Sequence, residues 1–298
     1  MPHLHLKLED EGAPSYGGKV VAILNSALAP NRPKSPSDAA TDLDLLFNQD
    51  YAEHGTADSF LWWFWDLVHD LARQVPYNSP EQDRLAAIVH ELHRLPSKTV
   101  RVGEEWGSGG FIQLWTNLPM FGSTFYEKLD ADPRATGETQ KKERAVNLQA
   151  YAARIGGLGI IPFEMYAIWA LVSALEGTMT PIRGAPDEVN YDATTVEDIT
   201  YKVKSAATWM KHAGHLLYGR DETVHGATAG PLWRLSKNET IKLKRRHKGT
   251  DGLCPQRWQL WKERFRAIRD TDGLDGDIRK EAGDAYTAMN KIEEGQNL

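Results

Sequence analysis

The residues best suited to chemistry form a polar stripe within one aromatic-rich segment, FLWWFWDLVHDLARQVP. Asp66, His69 and Asp70 follow one another at i, i+3 and i+4, a spacing that places all three on one face of an α-helix. Two carboxylates beside an imidazole can hold a cationic group and accept a proton from it. The alternative is a solvent-exposed face with an ion pair between Asp70 and Arg73.

A second acid lies in the apolar segment FEMYAIWALVSALEG, which begins directly after Pro162. With Pro162 at the first helical position, Glu164 falls in the first turn, where a carboxylate interacts favourably with the helix dipole and the free amides. Alternatively, Glu164 is desolvated among Phe163, Tyr166 and Trp169, and then requires a cationic partner or a raised pKa. This second interpretation makes Glu164 the first candidate for a ligand-binding acid.

Two histidine pairs raise the question of a metal site. His90 and His93 in HELH, and His212 and His215 in HAGH, are each spaced i, i+3. Neither pair has the i, i+4 spacing of the HExxH zinc motif. Cys254 is the only cysteine, which excludes an internal disulfide and a cysteine-rich zinc module. We therefore predict no metal ion and no other cofactor; a metal-dependent hydrolase would require the two pairs to meet.

The glycine-rich motifs do not predict a nucleotide site. GGLG at 156–159 precedes a helix N-terminus, but it is not GxGxxG and follows no predicted strand, so a hinge is the preferred interpretation. WGSGG has Trp106 where the GxSxG nucleophile elbow has its first glycine. The sequence contains no P-loop, and therefore gives no indication of ATP hydrolysis.

Positive charge is concentrated towards the C-terminus. The chain has a net charge of −6, yet residues 234–269 hold twelve Lys or Arg and three Asp or Glu residues, a local balance of +9. The most basic part contains Lys242, Lys244, Arg245, Arg246 and Lys248. Such segregation indicates a surface that meets a polyanion, and the alternative is an ordinary basic loop that offsets an acidic domain.

Aromatic residues follow the basic block in RWQLWKERFRAI. Trp258, Trp261 and Phe265 fall on one helical face, a pattern typical of a core. The cations of the same segment are predicted to point elsewhere, where they could contact phosphates. They are Arg257, Lys262, Arg264 and Arg266.

Helices are predicted to position these residues. Asp58 and Ser59 can cap the first aromatic-rich helix, and Ser79 with Pro80 can open a second, so that the two form an antiparallel hairpin. KTVRVGEEWGSGGF is the one predicted strand. Further helices are predicted at 18–29, 141–154, 195–218, 255–269 and 277–294, and after Pro162.

The predicted fold is all-α: a single multi-helix domain with antiparallel helical hairpins and a Trp-rich core, covering residues 58–298. Residues 1–57 are predicted to form an N-terminal helix and a mobile linker, because APNRPKSPSDAATD is rich in Pro, Ser and Asp. No stretch reaches the roughly 18 uninterrupted apolar residues of a membrane span, and MPHLHLKLED lacks the apolar part of a secretory signal. We therefore expect a soluble, cytoplasmic protein.

Four segments, FWDLVHDLARQVP, MYAIWALVSALEG, AATWMKHAGHLLYG and RWQLWKERF, resemble in order and spacing a large fungal family designated only as a domain of unknown function. The resemblance covers the chain from about residue 58 to its end. This group is similar to the fungal arginine-containing cyclodipeptide synthases, which take aminoacyl groups from charged tRNAs and close them into an arginine-containing diketopiperazine. The resemblance implies arginyl-tRNA and a second charged tRNA as partners. It implies no ATP or metal, because an aminoacyl ester is already activated.

No catalytic motif of that family maps residue by residue onto this sequence, so the roles follow from chemistry. An arginyl group requires carboxylates for its planar guanidinium, and the candidates are Asp66, Asp70 and Glu164. Peptide-bond formation requires a base that takes the proton of the attacking ammonium, and the catalytic candidates are Glu164, His69 and Tyr166. The candidates for tRNA binding are Lys242, Lys244, Arg245, Arg246 and Lys248.

The alternative function is a non-catalytic helical protein whose Trp-rich core supports a protein- or RNA-binding surface. The surroundings of Glu164 and of the Asp66 and Asp70 stripe discriminate between the two. A deep acidic pocket favours the enzyme, and a solvated face favours the binding protein.

Overall fold

The computed structural model describes residues 4–31, 33–103, 109–130, 132–183, 187–242 and 249–296. Helices account for 61% of the chain, and the described residues form eleven helices and four short strands. The helices are α1 (Gly17–Leu28), α2 (Pro36–His54), α3 (Asp58–Ala72), α4 (Pro80–Arg94), α5 (Phe121–Asp130), α6 (Glu138–Gly157), α7 (Glu164–Leu175), α8 (Ile199–Leu217), α9 (Pro231–Lys242), α10 (Pro255–Arg269) and α11 (Gly276–Glu293). The strands are β1 (Lys98–Val102), β2 (Gly110–Leu114), β3 (Thr178–Thr180) and β4 (Glu188–Asn190). None of the helices in these described ranges is long and apolar enough to span a lipid bilayer.

The chain divides into two compact units, Met1–Ile161 and Pro162–Leu298. The predicted helical fold is confirmed, but the structure adds two small antiparallel sheets, β1 with β2 and β3 with β4. The division into units falls just after the glycine-rich turn at 156–159. The predicted domain over residues 58–298, with its boundary between residues 57 and 58, stays a prediction.

The first unit contains α1 to α6 and the β1–β2 hairpin. α2 packs against α4, α4 against α6, and α3 against α5. The core is aromatic because α3 buries Phe60, Phe64 and Trp65, and the last two pack against Trp115, which follows β2. The ring centroids of Trp65 and Trp115 lie 5.9 Å apart with nearly perpendicular planes. Edge-to-face contacts of this kind add a specific attraction to the burial of apolar area.

The structure corrects the predicted hairpin of α3 and α4. α3 packs mainly against α5, and α4 packs mainly against α2 and α6. Hydrogen bonds from Gln82, on α4, hold the turn between α3 and α4. The Gln82 side-chain nitrogen donates to the carbonyl oxygens of Val75 at 2.8 Å and of Asn147 on α6 at 3.1 Å. Asp58 is the first residue of α3 and does not cap it. Its carboxylate instead accepts a hydrogen bond from the Gly103 amide at 2.9 Å.

Part of the predicted linker is helical. α2 begins at Pro36, inside the stretch rich in Pro and Ser, and Ser35 caps it by accepting a hydrogen bond from the Asp38 amide at 3.1 Å. The apolar face of α2, with Leu43 and Phe47, is buried in the first unit. The prediction of a mobile linker is therefore wrong from Pro36 onwards. Ser and Pro are common in linkers, but they are also common at the first positions of a helix, as Ser35 and Pro36 are here.

The second unit contains α7 to α11, the β3–β4 pair and a 3₁₀ turn at Ala193–Thr195. α7 and α11 each pack against both α8 and α10. Gly214 on α8 permits this close approach, because a Cβ atom there would lie 2.9 Å from Cδ1 of Ile292 on α11. The predicted Trp-rich core is present in both units. Its fully buried tryptophans are Trp65, Trp115, Trp209, Trp233 and Trp261.

Candidate functional site

The two acids of the α3 stripe are paired with cations of the same unit. Nζ of Lys128, on α5, lies 2.7 Å from a carboxylate oxygen of Asp66 and 3.0 Å from one of Asp70. Arg134 also pairs with Asp70, and it reaches Asp10 at 2.9 Å. The Asp70 side chain is only 8% exposed. The stripe is therefore neither a solvated face nor an open acidic pocket, because its charges are neutralised internally.

Asp132 is the centre of a second set of ion pairs in the first unit. Its carboxylate lies 3.0 Å from Arg73 and 2.5 Å from Arg144, and Arg144 also donates two hydrogen bonds to Glu9. Burial alone would raise the pKa of Asp132, but the hydrogen bond from Arg144 and the charges of both arginines outweigh it and lower the pKa. The adjoining cavity, of about 80 Å³, has room for about two or three water molecules and not for an arginyl group.

His69 lies in the aromatic core of the first unit and has no exposed surface. Its ring centroid is 4.7 Å from that of Phe121 and 5.8 Å from that of Tyr151. Nε2 lies 3.2 Å from the Phe121 carbonyl oxygen, so that this nitrogen carries the proton and donates. Burial lowers the pKa of His69 to about 3. A neutral, enclosed imidazole cannot reach a substrate, and we leave His69 out of the proposed site.

Glu164 and Tyr166 lie in the first turn of α7, in the second unit. The Glu164 side chain is 23% exposed and accepts a hydrogen bond from Nη1 of Arg220 at 2.7 Å. Arg220 also pairs with Glu222. Tyr166 is 7% exposed and packs edge-on against Phe163, with ring centroids 5.2 Å apart. Glu164 is thus a partly exposed carboxylate that already binds a guanidinium, rather than a desolvated acid.

The histidine pairs fall in different units. His90 and His93 belong to α4 in the first unit, whereas His212 and His215 belong to α8 in the second. Within the described ranges, no three His, Cys, Asp or Glu side chains are grouped so that they could hold a metal ion. We therefore propose no function for the two pairs.

A fully buried ion pair in the second unit was not predicted from the sequence. Nε of Arg257 donates to Oε1 of Glu176 at 2.7 Å, and neither side chain is exposed. The Trp261 indole donates to the same oxygen at 2.8 Å, and the Gly230 amide donates to Oε2 at 2.6 Å. The Arg257 guanidinium also donates to the Thr228 carbonyl oxygen and lies over the Trp261 ring. We call this set the Glu176 clamp; its polar groups are satisfied internally, which identifies it as a structural element.

Two of the four cations predicted to form a surface on α10 are buried. The aromatic stripe of Trp258, Trp261 and Phe265 is buried, as predicted. The buried cations are Arg257 and Arg264, and the paired ones are Lys262, with Glu293, and Arg266, with Glu263. The prediction that these four cations point to solvent is wrong for Arg257 and Arg264, because both point inward and donate to buried acceptors.

Of the five basic residues proposed to bind tRNA, the structure describes Lys242. Lys242 ends α9 and is exposed. The other four candidates, Lys244, Arg245, Arg246 and Lys248, lie outside the described residues. Their role in binding tRNA stays a prediction.

A cleft that the sequence analysis missed lies on the first unit. It has a volume of about 550 Å³, and its lining includes Tyr16, Asp50, His54 and Trp63. This volume falls within the range of small-molecule sites, about 300–1,000 Å³. The available signal was the i, i+4 spacing of Asp50 and His54, which places both on one face of α2. It went unused because α2 was not predicted.

Taken over the described residues, the fold and these sites define a mainly helical protein of two units, in which most of the acids singled out from the sequence are held in internal ion pairs. The chain belongs to the family described as “protein of unknown function (DUF3632)”, whose sequence profile matches residues 65–265. Membership in a family of unknown function, predicted from four segments, is confirmed at this level. Comparison with curated proteins and with solved structures found no match.

Proposed function

We propose that this chain is an arginine-containing cyclodipeptide synthase that uses arginyl-tRNA and a second charged tRNA. The resemblance of four segments supports the proposal, and these segments correspond to α3, α7, α8 and α10. In the proposed reaction, the amine of one aminoacyl ester attacks the carbonyl of the other and releases one tRNA. The second amine then closes the ring and releases the other tRNA. Both steps use the ester as the activated group and require no ATP.

The observation that carries the proposal is the pairing of Glu164 with a guanidinium. The hydrogen bond from Arg220 at 2.7 Å has the chemistry that an arginyl side chain would offer to the same carboxylate. Arg220 has a second acid, Glu222, to which it can remain paired when a substrate guanidinium takes its place at Glu164. Glu164 is also partly exposed, so a substrate has access to it. Tyr166, two residues further along the same helix, is proposed to assist proton transfer.

Asp66 and Asp70 are weaker candidates than Glu164 for binding the arginyl group. A substrate would have to displace Lys128 and Arg134 from them, because both acids are already paired with these cations. Removing the cation from a largely buried ion pair is costly. We therefore assign the arginyl group to Glu164 first.

The direct test uses pre-charged tRNA, purified free of ATP and synthetases, so that only the protein can join the amino acids. Arginyl-tRNA is mixed with tRNA charged with each other amino acid, and arginine-containing diketopiperazines are sought by mass spectrometry. The proposal expects a product that disappears when ribonuclease is added beforehand. Folded protein that yields no product from verified charged tRNA contradicts it.

Glu164→Gln is expected to reduce incorporation of arginine by at least about tenfold, because the amide cannot form a charged pair with the guanidinium. The matched control is Glu197→Gln, which removes the same charge from an exposed position of the second unit and should leave the yield unchanged. Circular dichroism checks that both variants fold. Equal yields from wild type and Glu164→Gln would remove Glu164 from the site.

Changing Lys244, Arg245 and Arg246 together to Ala is expected to weaken tRNA binding and reduce its dependence on salt. Each cation that neutralises a phosphate adds roughly 0.7–0.9 to the slope of log K against log salt, so its removal lowers the slope by that amount. Filter binding between 50 and 300 mM salt, about the range in which electrostatic binding to phosphates dominates, measures the slope. An unaltered slope would show that the block is an ordinary solvated loop.

The second candidate is a non-catalytic protein that binds a protein or RNA partner. The ion pairs of Asp66 and Asp70 with Lys128 favour this second candidate, because the stripe offers no open acidic pocket for a substrate. The same pre-charged tRNA assay separates the two candidates. A protein that binds tRNA and forms no diketopiperazine belongs to the second class.

A further inference from the structure

The cleft on the first unit has aromatic walls. Tyr16 packs against Phe60 with ring centroids 4.5 Å apart, and its hydroxyl donates to the Phe60 carbonyl oxygen at 3.3 Å. These contacts fix the Tyr16 ring beside the opening. Trp63 leaves the aromatic core of α3 and is 42% exposed, so that a large part of its indole faces the cleft and solvent.

The same cleft contains an incompletely neutralised acid. Asp50, whose side chain is 19% exposed, has His54 as its one ion-pair partner among the described residues, with Nδ1 and Oδ2 3.4 Å apart. His54 is a surface residue that carries a charge only when protonated. By contrast, Asp70 and Asp132 each have two Lys or Arg partners. Burial and the negative charge of Asp50 both raise the pKa of Tyr16, so the field of this carboxylate acts within the cleft.

The electrostatics of the lining exclude several classes of ligand. Among the described residues, the lining contains no Lys or Arg, which disfavours a phosphate or carboxylate ligand. The part of the lining that the structure describes supplies one carboxylate, that of Asp50, which is too few for a divalent metal ion; Ca²⁺, for example, takes six or more oxygen ligands. An apolar ligand would desolvate the carboxylate of Asp50 and leave it only His54, a partner that is charged only when protonated.

We propose that this cleft binds a small organic cation, of the guanidinium or alkylammonium class, with Asp50 as its counter-ion and the rings of Tyr16 and Trp63 as its walls. A cation over an aromatic face is attracted by the ring quadrupole, and an adjacent carboxylate adds a charge-assisted hydrogen bond. An arginyl side chain is one member of this class, but the proposed function places the arginyl group of its substrate at Glu164, not in this cleft. The binding of free cations is independent of the proposed function.

The experiment titrates the full-length protein with L-arginine methyl ester and with L-citrulline methyl ester in a calorimeter. The two compounds have nearly the same shape, but the urea of citrulline is uncharged. L-lysine methyl ester tests the alkylammonium group. Saturable binding of the arginine or lysine ester, with citrulline ester at least about tenfold weaker, is the expected result. Equal binding of all three esters, or no binding of either cation, overturns the proposal.

Variants locate the binding. Asp50→Asn should weaken the affinity for arginine methyl ester by about tenfold or more. Trp63→Ala, a change at an exposed side chain, should also weaken it. Glu53→Gln is the matched control, because Glu53 is an exposed acid at the same end of α2 that does not line the cleft. The affinity of this variant for arginine methyl ester should stay within about twofold of the wild-type value. If Asp50→Asn and Trp63→Ala both bind as wild type does, the cation is not held in this cleft.

The outcomes separate this inference from the proposed function. If arginine methyl ester binds in an Asp50-dependent way and charged tRNA gives no diketopiperazine, the cleft assignment stands and the synthase proposal falls. If diketopiperazine forms and neither its yield nor ester binding depends on Asp50, the synthase proposal stands and the cleft assignment falls.

Discussion

Arg257→Ala should lower the free energy of unfolding of the second unit by about 3–5 kcal/mol, the typical cost of removing one member of a buried ion pair. The loss is large because the Glu176 carboxylate would stay buried without its charge partner. The Trp261 indole and the Gly230 amide would still donate to that carboxylate, but neither carries a charge. Hydrogen exchange should therefore accelerate in α7, which ends next to Glu176, and in α10, which carries Arg257.

Chemical denaturation and hydrogen-exchange mass spectrometry of peptides from the second unit measure this effect. The control is Arg266→Ala, which removes a surface cation from the same helix and should cost no more than about 1 kcal/mol. The double variant Glu176→Leu with Arg257→Met removes both buried charges but leaves the Trp261 indole, the Gly230 amide and the Thr228 carbonyl oxygen without these partners, so it should recover only part of the loss. A loss below about 1 kcal/mol for Arg257→Ala would contradict the description of the clamp as a structural element.

The second large effect is a loss of stability in mild acid, caused by His69. Its pKa is about 3 in the folded protein, against about 6.5 in an unfolded chain. Above about pH 6.5 the His69 ring is neutral in both the folded and the unfolded state, so His69 does not change the free energy of unfolding with pH. As the pH falls below about 6.5, only the unfolded state takes up the proton, so the free energy of unfolding decreases by up to about 1.4 kcal/mol per pH unit. Between about pH 6.5 and pH 4 the loss approaches about 3 kcal/mol.

This prediction is tested by urea denaturation from about pH 7.5 to 4.5, followed by the fluorescence of the buried tryptophans. His69→Gln keeps a donor for the Phe121 carbonyl oxygen but cannot titrate, and should flatten the pH dependence whatever its stability at neutral pH. His215→Gln, at an exposed position, is the control and should follow the wild-type slope. Carboxylates with a lowered pKa, such as Asp132, lose their contribution only as the pH falls below about 4, outside this window. Parallel slopes for wild type and His69→Gln would rule out the enclosed histidine as the cause.

Local sequence signals predicted many of the helices. α10 was predicted with its observed bounds, because Pro255 starts the helix and the aromatic stripe that includes Trp261 follows at helical spacing. α4 was found from Ser79 and Pro80 in the same way. Each of these signals lies within a few consecutive residues, so it can be recognised without knowledge of the tertiary fold.

The partners of the charged residues could not be predicted, since they depend on packing between distant segments. Glu176 and Arg257 are 81 residues apart in the chain. Asp70 and Lys128 are 58 residues apart, and nothing in either segment specifies the other. The polar stripe on α3 was therefore recognised, but its neutralisation was not. The cleft was missed for a related reason, as the region that supplies Asp50 was taken for the end of a linker.

The arrangement of the two units as consecutive stretches of chain has a consequence for synthesis on the ribosome. The first unit ends at Ile161, so all its helices have been translated before α7 begins. The carboxylate of Glu176 gains its partner Arg257 only after a further 81 residues have been translated, which at about 5–20 residues per second takes on the order of 10 s. During that interval Glu176 carries its charge in water, at the end of an apolar helix, and makes premature burial of that end unfavourable. The acid that later anchors the folded core thus first acts to keep the nascent helix end solvated.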